Sequence, residues 1–158
     1  MDKKTFQILI IDPLNIEFNT TIYLNGKLAQ LKNLNIPRNC SGVTYTNRAK
    51  KPIVIIWQRN FYESLQTLFH ELGHVVLHGK GSNFRGRYVI QEIEAETVAL
   101  KTCELLKLPY NPNFKTSNDV NFIESYNRYK PKNANPRTEL IDEIAQRIYK
   151  TLKDVKIS

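Results

Sequence analysis

Residues 70–74 read His-Glu-Leu-Gly-His, two imidazoles one helical turn apart with a carboxylate beside the first. At a spacing of i and i+4 on a helix, both rings point the same way and can share one metal ion, usually zinc. Glu71 can take a proton from a water activated by that metal. The pattern specifies a hydrolytic metal centre, provided that the segment is helical and a third ligand is at hand.

The surrounding residues favour a helix. Asn60 and Glu63 have the spacing of a capping box. The helical pattern then runs from Phe61 to His78, where Gly79 and Gly81 supply a stop. On a helical wheel Leu65, Leu68, Phe69, Leu72 and Val76 cluster within about 60° of Leu65. His70, His74 and His78 occupy the opposite face, with Glu71 beside them. The helix is therefore expected to pack on a sheet with one face and present His70, Glu71 and His74 with the other. Gly73 costs about 1 kcal/mol relative to alanine in mid-helix. Glycine suits that position if another chain segment, or a substrate backbone, approaches closely.

The third ligand comes from elsewhere. The two cysteines are excluded by position, and Lys80 stands where metzincins place a third histidine. His78 is separated from His70 by about 12 Å of axial rise. It reads as a C-terminal residue favoured by the helix dipole rather than a ligand. A second helix is expected over Tyr88–Lys107, ending before Pro109. On it Glu92, Ala95, Glu96, Ala99, Cys103 and Leu106 share a face, while Glu94 points away with Thr97 and Lys101. Two carboxylates among small and apolar residues are costly unless something compensates them. Glu92 is assigned as third ligand. Glu96 is assigned as acceptor of a hydrogen bond from a ligating histidine, fixing its tautomer. Glu94 is expected at the surface.

The rest of the chain must position these helices. Phe6–Ile11, Thr21–Leu24, Val43–Thr46 and Pro52–Trp57 read as strands, the last one inside the sheet. Asn25-Gly26 is a turn signal, Lys27–Asn35 a short helix, and Arg48–Lys51 a hairpin-like connection. Further helices are expected over Asn118–Tyr129, and from Asn135-Pro136 to about Asp154. The latter has Leu140, Ile141, Ile144, Ile148 and Leu152 at core spacing, and Lys130–Asn135 is a polar linker. The expectation is one α+β domain with a small, mostly antiparallel N-terminal sheet packed against the active-site helix. Residues 1–59 are mainly strands, 60–108 the metal-binding helices and 109–158 a C-terminal helical part.

With 41% apolar and 24% charged residues, the 158-residue chain reads as an ordinary globular domain. No apolar run approaches transmembrane length. The N-terminus lacks the features of a signal peptide. Cys40 and Cys103, with no C-x-x-C spacing, suggest free thiols in a reducing compartment, hence the cytoplasm. The net charge of +8 gathers at Arg48/Lys50/Lys51, at Lys80/Arg85/Arg87 and from Arg128 to Arg137. In the absence of a zinc finger, RNP-like or helix-turn-helix pattern, a solvated basic surface is favoured over a nucleic-acid interface.

His70-Glu71-Leu72-Gly73-His74, the trailing Leu77-His78, and Glu92-x-x-Ala95-Glu96-x-x-Ala99 together resemble the ImmA/IrrE family of metallo-endopeptidases. Those proteins carry H-E-L-x-H followed by E-x-x-A-N-x-F-A. Here Glu96 replaces the usual asparagine and Val98 the usual phenylalanine, and a glutamate at that place looks closer to the related ArdC-type antirestriction proteins. Ser117–Tyr126 loosely resembles a further segment of that group, and the specific likeness spans Asn60–Leu108. The resemblance implies a zincin-like fold with gluzincin ligation by His70, His74 and Glu92, and Glu71 as general base. It also implies a small protein of a phage, plasmid or integrative element, acting in the host cytoplasm on a repressor or other regulator.

A hydrolytic mechanism on one Zn2+ per chain also needs an oxyanion donor, with Tyr126, Tyr129, His78 and Arg85 as candidates. Two rival readings are an antirestriction or DNA-associated module with a structural metal, and a non-proteolytic protein-interaction module. A structural zinc is closed by four protein ligands, and only three are visible here, which favours the hydrolase.

Overall fold

The computed structural model describes residues 1–24, 41–46, 51–57, 59–79, 88–112 and 137–157. Among these residues the architecture is α+β, with helices in the majority and one three-stranded sheet. The strands are β1 (Thr21–Leu24), β2 (Gly42–Thr46) and β3 (Pro52–Ile56), in the order β1-β3-β2. The apolar run Ile53–Ile56 is buried in the central strand, as its composition requires. β2 pairs with β3 antiparallel, with Gly42 opposite Ile56, whereas β1 runs parallel to β3, with Thr21 opposite Ile53. The sheet is therefore mixed rather than mostly antiparallel. A parallel pair needs a crossover rather than a tight turn. The expected Asn25-Gly26 turn, the Lys27–Asn35 helix and Arg48–Lys50 lie outside the described residues.

The N-terminal run is not a strand. Residues Lys3–Phe6 form helix α1, Gln7–Ile11 a π-helical turn, and Asp12–Phe18 helix α2. Asp2 caps the start by accepting from the Thr5 N–H at 2.9 Å. Phe6, Ile10, Ile11, Leu14 and Phe18 are buried while Ile8 and Leu9 are exposed, a helical rather than alternating pattern. The β-rich stretch Phe6–Ile11 misleads because it is apolar throughout, and such short runs do not reveal their period. Pro13 has no N–H to return to the preceding turn, and the widened π turn before it accommodates that loss. Asn15 Oδ1 then accepts from the Ile22 N–H at 2.9 Å, tying α2 to β1.

Three longer helices complete the described structure: α3 (Phe61–Leu77), α4 (Tyr88–Leu106) and α5 (Thr138–Leu152). Asn60 caps α3 as expected, accepting from the Glu63 N–H at 2.9 Å. Helix α3 packs on β2 and β3, α4 on α3, and α5 on α4, with α2 also against α5. The core joins Leu65, Leu68, Phe69 and Leu72 of α3 to Val54 and Ile56 of β3, Val98 and Ala99 of α4, and Ile141, Ile144, Ile148 and Leu152 of α5. Leu140, expected in this set, is 42% exposed, because α4 and α2 cover only one side of α5. Helix α5 begins at Thr138, and Arg137 precedes it without a side-chain cap. The expected Asn118–Tyr129 helix, the Lys130–Asn135 linker and the Asn135-Pro136 start lie outside the described residues.

Gly73 allows α3 and α4 to meet. A Cβ there would lie 3.0 Å from Ala95 Cα and 3.3 Å from the Ala95 carbonyl oxygen. The close approach expected at this glycine is therefore made by α4. At the end of α3, a Cβ on Gly79 would stand only 2.4 Å from the Val75 carbonyl oxygen, so a side chain is excluded there as well. Gly73→Val should force the helices apart and lower the unfolding free energy of the metal-free protein by about 1–3 kcal/mol in urea titrations.

Candidate metal centre

Helix α3 is buried on almost every side from Ser64 to Gly73, so its histidine face meets α4 rather than opening broadly to solvent. His70 and His74 turn their Nε2 atoms toward each other at 3.1 Å. The Glu92 carboxylate of α4 spans the pair, with Oε2 at 3.1 Å from His70 Nε2 and Oε1 at 2.9 Å from His74 Nε2. These three residues form a group that could hold a metal ion, and no fourth side chain joins it among the described residues. A tetrahedral zinc site with bonds of 2.0–2.1 Å has ligand–ligand edges of about 3.3 Å, close to these separations. The two-imidazole, one-carboxylate donor set fits the borderline character of zinc. Side-chain exposure rises from 3% at His70 to 14% at His74, so water reaches the group from the His74 side.

Charge in this pocket is tightly balanced. Burial by itself lowers the His70 pKa, but hydrogen bonds to Glu92 and Glu96 and the charges of Glu96 and Glu71 raise it well above the ordinary value. Burial likewise works to raise the Glu92 pKa, and the hydrogen bonds and charges of His70 and His74 bring it far below the usual carboxylate range. A cation is thus demanded between these carboxylates, and a bound metal would displace the proton that otherwise supplies it.

Glu96 lies where the sequence places it. Its Oε2 contacts His70 Nδ1 at 2.5 Å, while Oε1 accepts from Gln66 Nε2 at 3.0 Å and Tyr110 Oη at 2.8 Å. Gln66 is fixed in turn by the backbone of Asn111, donating to its carbonyl and accepting from its N–H. Gln66 and Tyr110 were not anticipated. Gln66 has a local signal, since it precedes His70 by one helical turn.

Glu71 fills a slot against the sheet. Thr44 of β2 donates to Glu71 Oε2 at 2.5 Å, and a Cβ on Gly42 would come within 2.9 Å of Glu71 Cγ. Only glycine permits so close an approach. Oε1 has no hydrogen bond among the described residues.

Two assignments require correction. Glu94 is not a surface residue: it is 5% exposed and receives Arg137 through Nε at 2.9 Å and Nη2 at 2.6 Å. Helix α4 is covered by α3 on one side and α5 on the other, so a residue facing away from the metal is still buried. Ile90, Ile93, Val98 and Leu105 fall on the side of the helix opposite Glu92 and Glu96, around Glu94 itself, and were the available sign of two-sided burial. His78 does close α3, but not as a cation favoured by the dipole. Burial lowers its pKa despite the hydrogen bond to Glu94, leaving a neutral ring. Its Nδ1 lies 2.8 Å from His74 Nδ1 and its Nε2 3.2 Å from Glu94 Oε1. Both nitrogens are thus directed to protein groups, and His78 does not fit the role of oxyanion donor. Arg85, Tyr126 and Tyr129, the other candidates, lie outside the described residues, as does Cys40. The buried Cys103 thiol is pushed up to about 12, chiefly by burial, and is unreactive.

No family model, curated protein or solved structure matches the chain. Among the described residues no helix is long and apolar enough to cross a membrane.

Metal titration near pH 7 should release about one proton per ion bound, largely from His70. Calorimetry in buffers of different ionisation enthalpy measures this release. Glu92→Ala should abolish stoichiometric uptake, whereas unchanged uptake would remove Glu92 from the ligand set.

Proposed function

We propose that the chain is a zinc-dependent metallo-endopeptidase with a zincin-like, glutamate-ligated centre, akin to the ImmA/IrrE family. The observation that carries this reading is the convergence of His70, His74 and Glu92 on one point, with Glu71 near enough for its charge to act on His70 and no fourth protein ligand among the described residues. A structural zinc would be closed by protein groups, whereas a catalytic one keeps a position for water or substrate. The bound ion supplies a Lewis acid that polarises a carbonyl and lowers the pKa of water toward about 7.

The residues then divide the work. Thr44 holds one oxygen of Glu71, leaving Oε1 to take a proton from the attacking water and return it to the leaving nitrogen. Glu96 and His78 set the ring orientations of His70 and His74 from behind. β2 is an edge strand among the described residues, and Thr44 places it directly beside Glu71. An extended peptide added to that edge would lie along the base. This supports a peptide substrate, and we assign a protein target such as a transcriptional regulator of the host or element, cleaved in the cytoplasm.

Glu71→Gln should reduce hydrolysis of a target protein by at least about 100-fold, while zinc content stays near one ion per chain. Mass spectrometry of the fragments and metal analysis read the two quantities separately. Loss of metal together with activity would remove Glu71 from the role of base and make it a structural part of the site.

A further inference from the structure

We propose that Arg137, acting through Glu94 and His78, is a positioning residue that commits His74 to the tautomer able to bind metal through Nε2. The proposal rests on the metal-centre reading above and extends it to α5, which contributes no ligand. A hydrogen-bonded chain runs from the start of α5 to the centre. Arg137 grips both oxygens of Glu94, Glu94 Oε1 faces His78 Nε2 at 3.2 Å, and His78 Nδ1 faces His74 Nδ1 at 2.8 Å.

The direction of each proton follows from chemistry. A histidine that gives its Nε2 lone pair to a metal carries its proton on Nδ1. His74 Nδ1–H must then donate to His78 Nδ1, which therefore has to be unprotonated. The neutral His78 ring carries its proton on Nε2, where Glu94 accepts it. Glu94 can keep its charge when only 5% exposed because Arg137 meets it with a two-pronged contact. Arg137 Nη1 also donates to the Leu77 carbonyl at 3.3 Å, immediately before His78, so the same side chain holds the backbone that carries the relay. Histidine ligands held by outer partners typically lose about 10–100-fold in metal affinity when those partners are removed. His70 has Glu96 for this purpose, and His74 has the relay.

The test is zinc affinity by chelator competition in the full chain. Arg137→Ala and the isosteric Glu94→Gln should each weaken binding by about 10–100-fold. Lys101→Ala, which removes another α4–α5 ion pair remote from the centre, should not. A merely structural Arg137 is distinguished by non-additivity: in a His78→Leu background, Arg137→Ala should cost almost nothing more. Long-range proton–nitrogen correlation spectra of the zinc-loaded protein should also find the His78 proton on Nε2. Affinities of Arg137→Ala and Glu94→Gln within about twofold of wild type, or losses that add in full to that of His78→Leu, would overturn the relay. So would a His78 proton on Nδ1. Failure of the wild-type chain to bind zinc would sink the centre and the relay together, whereas unaffected Arg137→Ala and Glu94→Gln proteins would sink the relay alone.

Discussion

Helix α4 buries three carboxylates within five residues: Glu92, Glu94 and Glu96 are each only 4–5% exposed. An unpaired carboxylate in such surroundings costs several kcal/mol or neutralises itself, so the fold must bring a partner to each. Glu92 receives the two motif histidines, Glu96 receives the far side of His70 with Gln66 and Tyr110, and Glu94 receives Arg137 and His78. Much of the helical architecture follows from these pairings. Gly73 lets α4 come close enough to α3 for Glu92 to reach both imidazoles, and α5 is seated so that Arg137, the residue before its first turn, reaches Glu94. A buried polar network of this kind is worthwhile only when every member is satisfied, which explains why α3, the segment after α4 and the start of α5 all send residues to one short stretch of α4.

The part of this arrangement written into local spacing was legible in the sequence. The i, i+4 histidines, the Asn60 cap, the glycine at the crossing and the shared face of Glu92 and Glu96 all depend on a single helix or a single turn. So does the central strand, whose unbroken apolar run has few other places to go. What depends on partners distant in sequence was not legible. Glu94 looks solvent-facing on the wheel of α4 because nothing nearby in the chain announces Arg137, 43 residues later. Thr44 and Gly42 are unremarkable in a strand until α3 lays Glu71 across them. The N-terminal helices were misread for a different reason. In Phe6–Ile11 β-rich composition outweighed the weaker helical evidence of Asp2 as a cap and of burial at four-residue intervals.

The two histidines are held in unlike ways, and this bears on how the centre would operate. His70 is deep, backed by a carboxylate whose second oxygen is saturated by a tyrosine and a glutamine. His74 is nearer to water and backed by a neutral imidazole. An imidazole transmits less negative charge to a ligand than a carboxylate does, so the water-facing side of the centre is the less electron-rich one. That asymmetry is what the proposed hydrolytic role would use, the buried side anchoring the ion and the open side meeting substrate. Glu71, the proposed base, is held by Thr44 against β2, an edge strand among the described residues.

His70, His74 and Glu92 are proposed to bind one ion and leave a position open. X-ray absorption at the zinc edge of the protein loaded with one equivalent tests it most directly. The expected spectrum has nitrogen and oxygen neighbours only, with imidazole scattering from two histidines and room for an exchangeable water. A sulfur ligand, or a shell closed entirely by protein groups, would contradict it.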